Sequence, residues 1–199
     1  MSILVTKAAP DFTATAVMPD NSINPSFNLK SYLHGKIGVL FFYPLDFTFV
    51  CPSEILEFNQ NLQEFQDEGA ELIAVSVDSQ FSHIAYKNTS ISDGGIGKVQ
   101  FPMVSDLTKQ ISRDYDVLIN EAVSLRGTFL IDQNFVVRHQ LVNDLPLGRN
   151  IEEALRMVKA LKFHQQNGEV CPANWNKGKK GMVPSEKGVA EYLKSQYVK

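Results

Sequence analysis

One stretch of sequence decides the fold of this chain, YPLDFTFVCP at residues 43–52. It follows an uninterrupted apolar run, residues 37–42, whose length and flanking glycine and proline are typical of a buried strand. An amphipathic segment at residues 53–66 follows and is predicted to be helical. Pro52 suits the first helical position, where a missing backbone N–H costs nothing. The sequence therefore predicts that Cys51 lies at a strand-to-helix junction, close to the positive end of a helix, which favours a thiolate.

The segments on either side predict alternating strands and helices. Residues 72–77 form a second buried strand, which closes a strand–helix–strand unit and implies parallel strands with a right-handed crossover. Before the unit, we expect an edge strand at 11–18, a turn at 19–25 and a returning strand at 27–29. The later predicted elements are a helix at 80–90, a strand at 102–105, a helix at 108–114 capped by Asp106 or Thr108, a hairpin of 127–131 with 135–139, and a helix from Asn150 to Gly168.

This order of elements is typical of an α/β protein with a thioredoxin-like fold, in which helices flank a central mixed sheet. We expect that fold over residues 1–168. Residues 169–199 are predicted to be a C-terminal extension that carries Cys171. They contain too few apolar residues for a core of their own, so the extension is interpreted as an arm.

Composition excludes several classes of function. A chain of 199 residues suits one hydrophobic core, and a net charge of -3 gives no reason to expect a nucleic-acid or membrane partner. No apolar stretch approaches the length of a membrane span, and the first residues lack the pattern of a signal peptide. We therefore expect a cytoplasmic protein.

The two cysteines are more readily explained as reactive than as structural groups in a reducing compartment. They are too few for a zinc site without histidine, and the histidines show no ligand spacing. We predict no metal site and interpret each histidine as a surface or helix-face residue: His34, His83, His139 and His164. No Gly-x-Gly-x-x-Gly motif follows a strand, so no cofactor is expected.

Three residues are candidates to assist Cys51. Arg126 precedes a predicted strand that could bring it beneath the thiol, where its charge would favour the thiolate. Thr48 could place a hydroxyl beside the sulfur, and Pro44 could screen the sulfur from water. Each residue also has an ordinary explanation, because free cysteines are usually buried small hydrophobes and the others could be turn or surface residues. Their combination at one junction favours a function.

The spacing Pro44-x-x-x-Thr48-x-x-Cys51 reproduces the Pro-x-x-x-Thr-x-x-Cys signature of peroxiredoxins. The chain resembles the typical two-cysteine subfamily, which includes the alkyl hydroperoxide reductase C proteins. The resemblance covers nearly the whole chain and continues through SLRGTF at 124–129, NDLPLGR at 143–149 and GEVCPA at 168–173.

The resemblance implies a thiol peroxidase for hydrogen peroxide and organic hydroperoxides. Cys51 would be the peroxidatic cysteine that becomes a sulfenic acid, and Thr48 and Arg126 would hold the peroxide. Glu54 and Arg149 match positions that support the arginine, although a first-turn glutamate and a second arginine also have simple structural explanations.

The resemblance also assigns Cys171 the role of resolving cysteine, donated by the partner subunit. It implies an intersubunit disulfide, a homodimer and a decamer of five dimers, with thioredoxin or a flavoprotein disulfide reductase as reductant. Sequence spacing alone leaves intersubunit and intrasubunit pairing equally open. In either case, we expect the turn around Cys51 to unwind and the arm to loosen before the disulfide forms.

Two family motifs oppose that unwinding, and this chain keeps them only in part. GGIG at 94–97 is close to the family's Gly-Gly-Leu-Gly loop, but Tyr192-Leu193 stands where the family has Tyr-Phe. Because leucine lacks the ring packing of phenylalanine, we expect intermediate resistance to overoxidation.

Two other functions remain to be weighed. One is a redox-regulated chaperone or scaffold whose oligomeric state is the output. The other is a thioredoxin-like disulfide reductase, which is disfavoured because Glu54 stands where a Cys-x-x-Cys pair would need its second cysteine.

Overall fold

The computed structural model describes residues 3–198 and forms a seven-stranded sheet flanked by helices. Its strands are β1 (Thr13–Val17), β2 (Ile23–Asn28), β3 (Ile37–Phe42), β4 (Ala70–Ser76), β5 (Met103–Ser105), β6 (Leu118–Ile119), β7 (Val123–Ser124), β8 (Arg126–Ile131) and β9 (Val137–Asn143). Its α-helices are α1 (Leu29–Leu33), α2 (Cys51–Gln60), α3 (Leu62–Asp67), α4 (Gln80–Asn88), α5 (Gln110–Asp114), α6 (Ile151–Asn167) and α7 (Glu186–Tyr197), with a 3-10 turn at Ile91–Asp93.

The sheet is mixed and has the strand order β2-β1-β5-β4-β3-β8-β9. β3, β4 and β5 run parallel to one another, which confirms the predicted strand–helix–strand unit. β8 pairs antiparallel with both β3 and β9, so the predicted hairpin is confirmed and is attached to the parallel strands. The fold class is therefore the predicted one, a mixed α/β sheet with helices on both faces.

The apolar run of β3 is continuous because both of its faces are covered. Val39 and Phe41 point into one core with α2, α3 and α6. Leu40 and Phe42 point into a second core, which includes side chains of α1 and α5. One core therefore lies on each side of the sheet, as a parallel strand between helical layers requires.

Two of the strand and turn predictions are wrong. β1 is an interior strand that pairs with β2 and β5, whereas the sequence predicted an edge strand. β2 occupies the edge and begins at Ile23, inside the predicted turn. Pro25 is tolerated in β2 because the outer side of an edge strand needs no N–H donor.

The predicted helix at 53–66 is two helices, α2 and α3, which are separated at Asn61. The Asn61 side-chain amide donates to the backbone carbonyl of Glu57 at 2.8 Å and so competes with the helical hydrogen bonds. α2 begins at Cys51 itself, which confirms the predicted strand-to-helix junction.

Polar side chains accept hydrogen bonds from the first turns of α5 and α6. At α5 the N-cap position is Lys109, which has no side-chain cap, so neither predicted residue occupies it. Both nevertheless accept from the first turn: Asp106 from the N–H groups of Ile111 at 3.1 Å and Ser112 at 2.8 Å, and Thr108 from that of Gln110 at 3.4 Å. At α6, Asn150 accepts from the Glu153 N–H, and Gly168 ends the helix at φ 69°. The small β6–β7 hairpin was not predicted, because two-residue strands leave no periodic pattern.

The first part of the C-terminal extension packs against α6. Trp175 is buried and its ring centroid lies 4.8 Å from that of Phe163, while its carbonyl accepts from Arg156 at 2.9 Å. In α7, by contrast, none of the described side chains is buried. The division of the chain at residue 168 stays a prediction, and residues 1, 2 and 199 within it lie outside the described residues.

Within residues 3–198, no helix is long and apolar enough to cross a membrane.

The stack of Phe41 on Phe58 joins β3 to α2, with ring centroids 4.1 Å apart and both rings fully buried. We predict that Phe58→Ala lowers the free energy of unfolding by about 3–5 kcal/mol, because it leaves a cavity beneath the helix that carries Cys51. Denaturant unfolding measures the loss. Phe81→Ala, at a side chain that is 68% exposed, is the matched control and should stay within about 0.5 kcal/mol. Equal losses in the two variants would contradict the prediction.

Candidate active site

Cys51 opens α2 and has no exposed surface. Pro52 occupies the first turn, as predicted, and Val50 precedes the helix without a side-chain cap. The unsatisfied N–H groups of the first turn give this end of the helix a partial positive charge. A negative charge on the sulfur is favoured at this position.

Thr48 and Arg126 both contact the sulfur, as the sequence predicted. Thr48 Oγ1 lies 3.0 Å from Cys51 Sγ, and Arg126 Nη1 lies 3.5 Å from it. Arg126 reaches this place because β8 runs antiparallel beside β3, and its first residue therefore lies next to the end of β3. The sulfur thus has a hydroxyl and a guanidinium as polar neighbours.

The Thr48 hydroxyl has two partners but only one proton. Its oxygen also lies 2.8 Å from the backbone carbonyl of Leu45. When it donates to that carbonyl it can only accept from a thiol, and when the sulfur is a thiolate it can donate to the sulfur instead. One hydroxyl therefore suits both protonation states of Cys51.

A buried carboxylate holds the arginine in place. Glu54 lies one turn after Cys51 on α2, and its Oε2 accepts from Arg126 Nη1 at 2.8 Å. The same carboxylate accepts from Arg149 Nε at 2.9 Å and Nη2 at 2.9 Å, and from the Arg149 backbone N–H at 2.8 Å. Arg126 Nε donates to the Leu145 carbonyl at 2.8 Å, and Arg149 Nη1 donates to the Gly127 carbonyl at 2.8 Å. The predicted supporting pair, Glu54 and Arg149, is therefore in contact with Arg126.

Charge pairing dominates the electrostatics of this cluster. Burial alone would raise the pKa of Glu54, but the charges and hydrogen bonds of Arg149, together with the charge of Arg126, bring that pKa below its usual value. Burial lowers the pKa of Arg149, and Glu54 offsets part of that effect. The carboxylate is thus ionised and holds two buried guanidinium groups near the sulfur.

A cavity of about 550 Å³ opens beside the sulfur. Its wall includes the two side chains that contact the thiol, Thr48 and Arg126, as well as Pro44. The remaining wall is largely apolar and consists of Leu45, Phe49, Val50, Val123, Leu145 and Pro146. A small polar molecule in this cavity would meet the hydroxyl and the guanidinium together, beside a largely apolar wall.

The sequence missed a second buried network, centred on Asp46. Its carboxylate accepts from the hydroxyls of Tyr43 at 2.7 Å and Ser82 at 2.7 Å, and contacts His83 Nδ1 at 2.9 Å. His83 is fully buried on the inward face of α4, so of the two predicted positions, surface or helix face, it occupies the helix face. The sequence held one weak signal of this network. His83 and Tyr86, three positions apart in α4, place polar atoms on the same inward face of the helix.

Cys171, the second cysteine, packs against α6. Its Sγ is 3.4 Å from the carbonyl of Ala160, and the residue is half-buried. Burial raises the pKa of the Cys171 thiol, and the charge of Arg156 offsets part of that rise. Both cysteines are free thiols in this structure.

Among residues 3–198, no group of three or more His, Cys, Asp or Glu side chains is arranged to hold a metal ion.

The fold and the site together define a thioredoxin-like protein with one enclosed thiol at a helix start and a guanidinium at its sulfur. A family model described as the AhpC/TSA family matches residues 5–140, and one described as the C-terminal domain of 1-Cys peroxiredoxin matches residues 160–195. The chain belongs to the AhpC/TSA family and is a peroxiredoxin.

Individual relatives match most of the length of this chain. The chain is 56% identical over 197 residues to alkyl hydroperoxide reductase C of Helicobacter pylori, covering 99% of this chain and 100% of that protein. It is 53% identical over 176 residues to the mitochondrial thioredoxin-dependent peroxide reductase of Drosophila melanogaster, covering 88% of this chain and 74% of that protein. The reduced 2-Cys peroxiredoxin of Plasmodium vivax superposes with a TM-score of 0.94 at 49% identity, covering 96% of this chain and 99% of that one.

Removing the charge of Glu54 should destabilise the protein and change its response to acid. We predict that Glu54→Gln costs about 3–5 kcal/mol at neutral pH, because it leaves two buried guanidinium groups without their anion. The depressed pKa of Glu54 means that its contribution is complete above the unfolded value of about 4.3 and is lost as the pH falls through the folded-state value. The decline in unfolding free energy on the acid side should therefore be shallower in the variant.

Urea unfolding at a series of pH values between neutral and acid measures both effects. Glu57→Gln, an exposed position on the same helix, is the control and should match the native protein. If the unfolding free energy of Glu54→Gln matched that of the native protein at every pH, the cluster would contribute little to stability.

Proposed function

We propose that this peroxiredoxin reduces hydrogen peroxide and organic hydroperoxides through a sulfenic acid on Cys51. The observation that carries the proposal is the position of Thr48 Oγ1 at 3.0 Å and Arg126 Nη1 at 3.5 Å from Cys51 Sγ, beside a cavity that both residues line. The names of the two relatives above, both reductases, support turnover over the rival function of a redox-regulated chaperone or scaffold.

The first step is a displacement at oxygen. The Cys51 thiolate donates an electron pair to one peroxide oxygen, the O–O bond breaks, and the other oxygen leaves and takes up a proton as water or an alcohol. The sulfur is oxidised to a sulfenic acid and the peroxide is reduced. The guanidinium of Arg126 stabilises the thiolate and the charge that develops on the leaving oxygen, and the Thr48 hydroxyl donates to the peroxide. Pro44 shields the sulfur side of the cavity from water.

The second step uses Cys171 as the resolving cysteine. Its thiol attacks the sulfur of the sulfenic acid, a disulfide forms, and the hydroxyl leaves as water. Because Cys51 has no exposed surface and Cys171 packs against α6, the first turn of α2 must unwind and the arm must loosen before the two sulfurs can meet. We assign the attacking Cys171 to the partner subunit of a homodimer.

The reductant that closes the cycle is a dithiol protein, either thioredoxin or a flavoprotein disulfide reductase. The name of the Drosophila relative supports thioredoxin. We further propose a decamer of five dimers and a cytoplasmic location. Exposed apolar side chains beside the cavity support an oligomer, since Phe49 is 97% and Leu147 is 59% exposed in the single chain.

Resistance to overoxidation is proposed to be intermediate. Gly94 and Gly97 adopt positive φ in the loop of residues 94–97, which glycine does without strain, and Ile96 between them is buried. Both features support an ordered loop at this motif. Leu193, in α7, is 47% exposed and lacks a ring.

The two cysteine variants test the cycle. With one equivalent of hydrogen peroxide, the native protein should give a disulfide-linked dimer and Cys171→Ser a sulfenic acid that a dimedone-type reagent traps. Cys51→Ser should consume no peroxide. Non-reducing gels and intact mass spectrometry separate these products. Undiminished turnover by Cys51→Ser would overturn the assignment, and a disulfide confined to monomers would overturn the intersubunit pairing.

The arm is tested by Leu193→Phe. We predict that this variant is inactivated by lower concentrations of excess peroxide than the native protein, because ring packing in α7 slows the opening that the resolving step needs. The sulfinic acid content by mass spectrometry after turnover with reductant measures the change. Leu193→Met, without a ring, is the control. Equal sensitivity of Leu193→Phe and the native protein would contradict the prediction.

A further inference from the structure

The loop of residues 44–50, between β3 and α2, is attached to α4 by a single carboxylate. Asp46 Oδ2 accepts from the Ser82 hydroxyl at 2.7 Å and lies 2.9 Å from His83 Nδ1, which must carry a proton to bond with it. Asp46 Oδ1 accepts from the hydroxyl of Tyr43 at 2.7 Å. Both carboxylate oxygens are therefore occupied by protein donors, and the Asp46 residue is only 7% exposed.

The backbone of Asp46 makes a further attachment. Its N–H donates to Asp78 Oδ2 at 2.9 Å, and that oxygen also accepts from the Ser76 hydroxyl at 2.7 Å. Burial raises the pKa of Asp78, and the charge of Asp46 raises it further. The loop is thus joined at one residue to the end of β4 and to α4.

The next residue of the loop has an unfavourable backbone conformation. Phe47 adopts φ 53°, in the left-handed region that non-glycine residues with bulky side chains rarely occupy. Its ring packs on the buried ring of Tyr86, also on α4, with centroids 4.6 Å apart. Such a conformation persists only where the surroundings enforce it. Asp46 and the Phe47 ring are the contacts that enforce it here.

Thr48 follows directly, and its hydroxyl is the group that lies 3.0 Å from Cys51 Sγ. Only Phe47 separates Asp46 from Thr48, so a displacement of Asp46 moves the threonine hydroxyl relative to the sulfur. The carboxylate makes no contact with the sulfur in the hydrogen bonds above and does not line the cavity beside it. The hydrogen bonds of this carboxylate can therefore act on the sulfur only through the loop, and the Ser82 variants test that route because they leave the charge of Asp46 in place.

We propose that Asp46, held by Ser82 and His83, is a positioning residue that keeps the loop of residues 44–50 closed during peroxide attack and must release it before disulfide formation. The proposal rests on the function proposed above. It makes α4 the support of the closed state, and the strained backbone at Phe47 favours opening once the attachment is lost.

A loosened attachment should change two steps in opposite directions. Oxidation of Cys51 by peroxide should slow, because Thr48 is no longer held at the sulfur. Disulfide formation should accelerate, because the turn that carries Cys51 opens more readily. A residue that serves only overall stability would not slow one step and accelerate the other. Substitution of an equally buried carboxylate elsewhere shows what a loss of stability alone does.

The experiment uses the full chain with three changes at the attachment and one matched control. Asp46→Asn removes the charge, Ser82→Ala removes one donor, and Ser82→Thr retains the hydroxyl. Asp132→Asn is the control, since Asp132 is a buried carboxylate in the β8–β9 turn that accepts from the backbone N–H groups of Asn134 and Val136. Stopped-flow oxidation by hydrogen peroxide is measured in the Cys171→Ser background, and rapid-quench non-reducing gels measure disulfide formation with Cys171 present.

Asp46→Asn should oxidise roughly tenfold more slowly, within the range that a misplacement of about 1 Å can cause. It should then form the disulfide faster than the native protein does. Ser82→Ala should shift both rates in the same directions by less, Ser82→Thr should restore them, and Asp132→Asn should change neither. If Asp46→Asn does not fold, the comparison of Ser82→Ala with Ser82→Thr decides the question.

Native rates in Asp46→Asn, equal effects of Asp46→Asn and Asp132→Asn, or slowing of both steps would overturn the proposal. Those outcomes leave the proposed function intact, because it depends separately on whether Cys51→Ser still consumes peroxide.

Discussion

The carboxylate of Glu54, ionised between two buried guanidinium groups, is the interaction on which the rest of the site depends. It joins α2 to the start of β8 through Arg126 and to the loop before α6 through Arg149. A buried arginine without an anion is strongly unfavourable, so the guanidinium can stay beside Cys51 only while the glutamate is charged. Three separate elements are thereby fixed around one sulfur.

A second carboxylate, that of Asp46, organises the loop before Cys51 through its hydrogen bonds. There the carboxylate binds two hydroxyls and an imidazole, and burial followed by the charge of Asp46 raises the pKa of Tyr43 well above its ordinary value. One carboxylate thus holds the cation at the sulfur of Cys51, and another holds the loop that precedes it. Cys51 has no exposed surface, yet the proposed chemistry requires its thiol to leave this enclosure and meet Cys171. A short strained loop suits this demand better than a rigid one.

Predictions from the sequence succeeded where the physics is local. The run at residues 37–42, Pro52 at a helix start, and Asn150 with Gly168 at the two ends of α6 each depend on neighbours within a few residues. They failed where a partner lies far away along the chain. β1 was taken for an edge strand because nothing in its own sequence reveals that β5 pairs with it. The contact between His83 and Asp46 was not predicted, because the two residues lie 37 positions apart. Lys87 is a further example, buried with its ammonium donating to the Met18 carbonyl at 2.7 Å.

The sequence by itself determined the candidate nucleophile, its place at a helix start, and the candidate residues that assist it, since the residue types and spacing around Cys51 are encoded within ten positions and in a few matching segments. Only the tertiary structure decided which side chains reach the sulfur and how they are held there. Arg126 is 75 positions from Cys51 and Arg149 is 95 positions from Glu54, and the pairing of β8 with β3 brings them together. Such contacts depend on strand register and burial, which arise from packing of the whole chain.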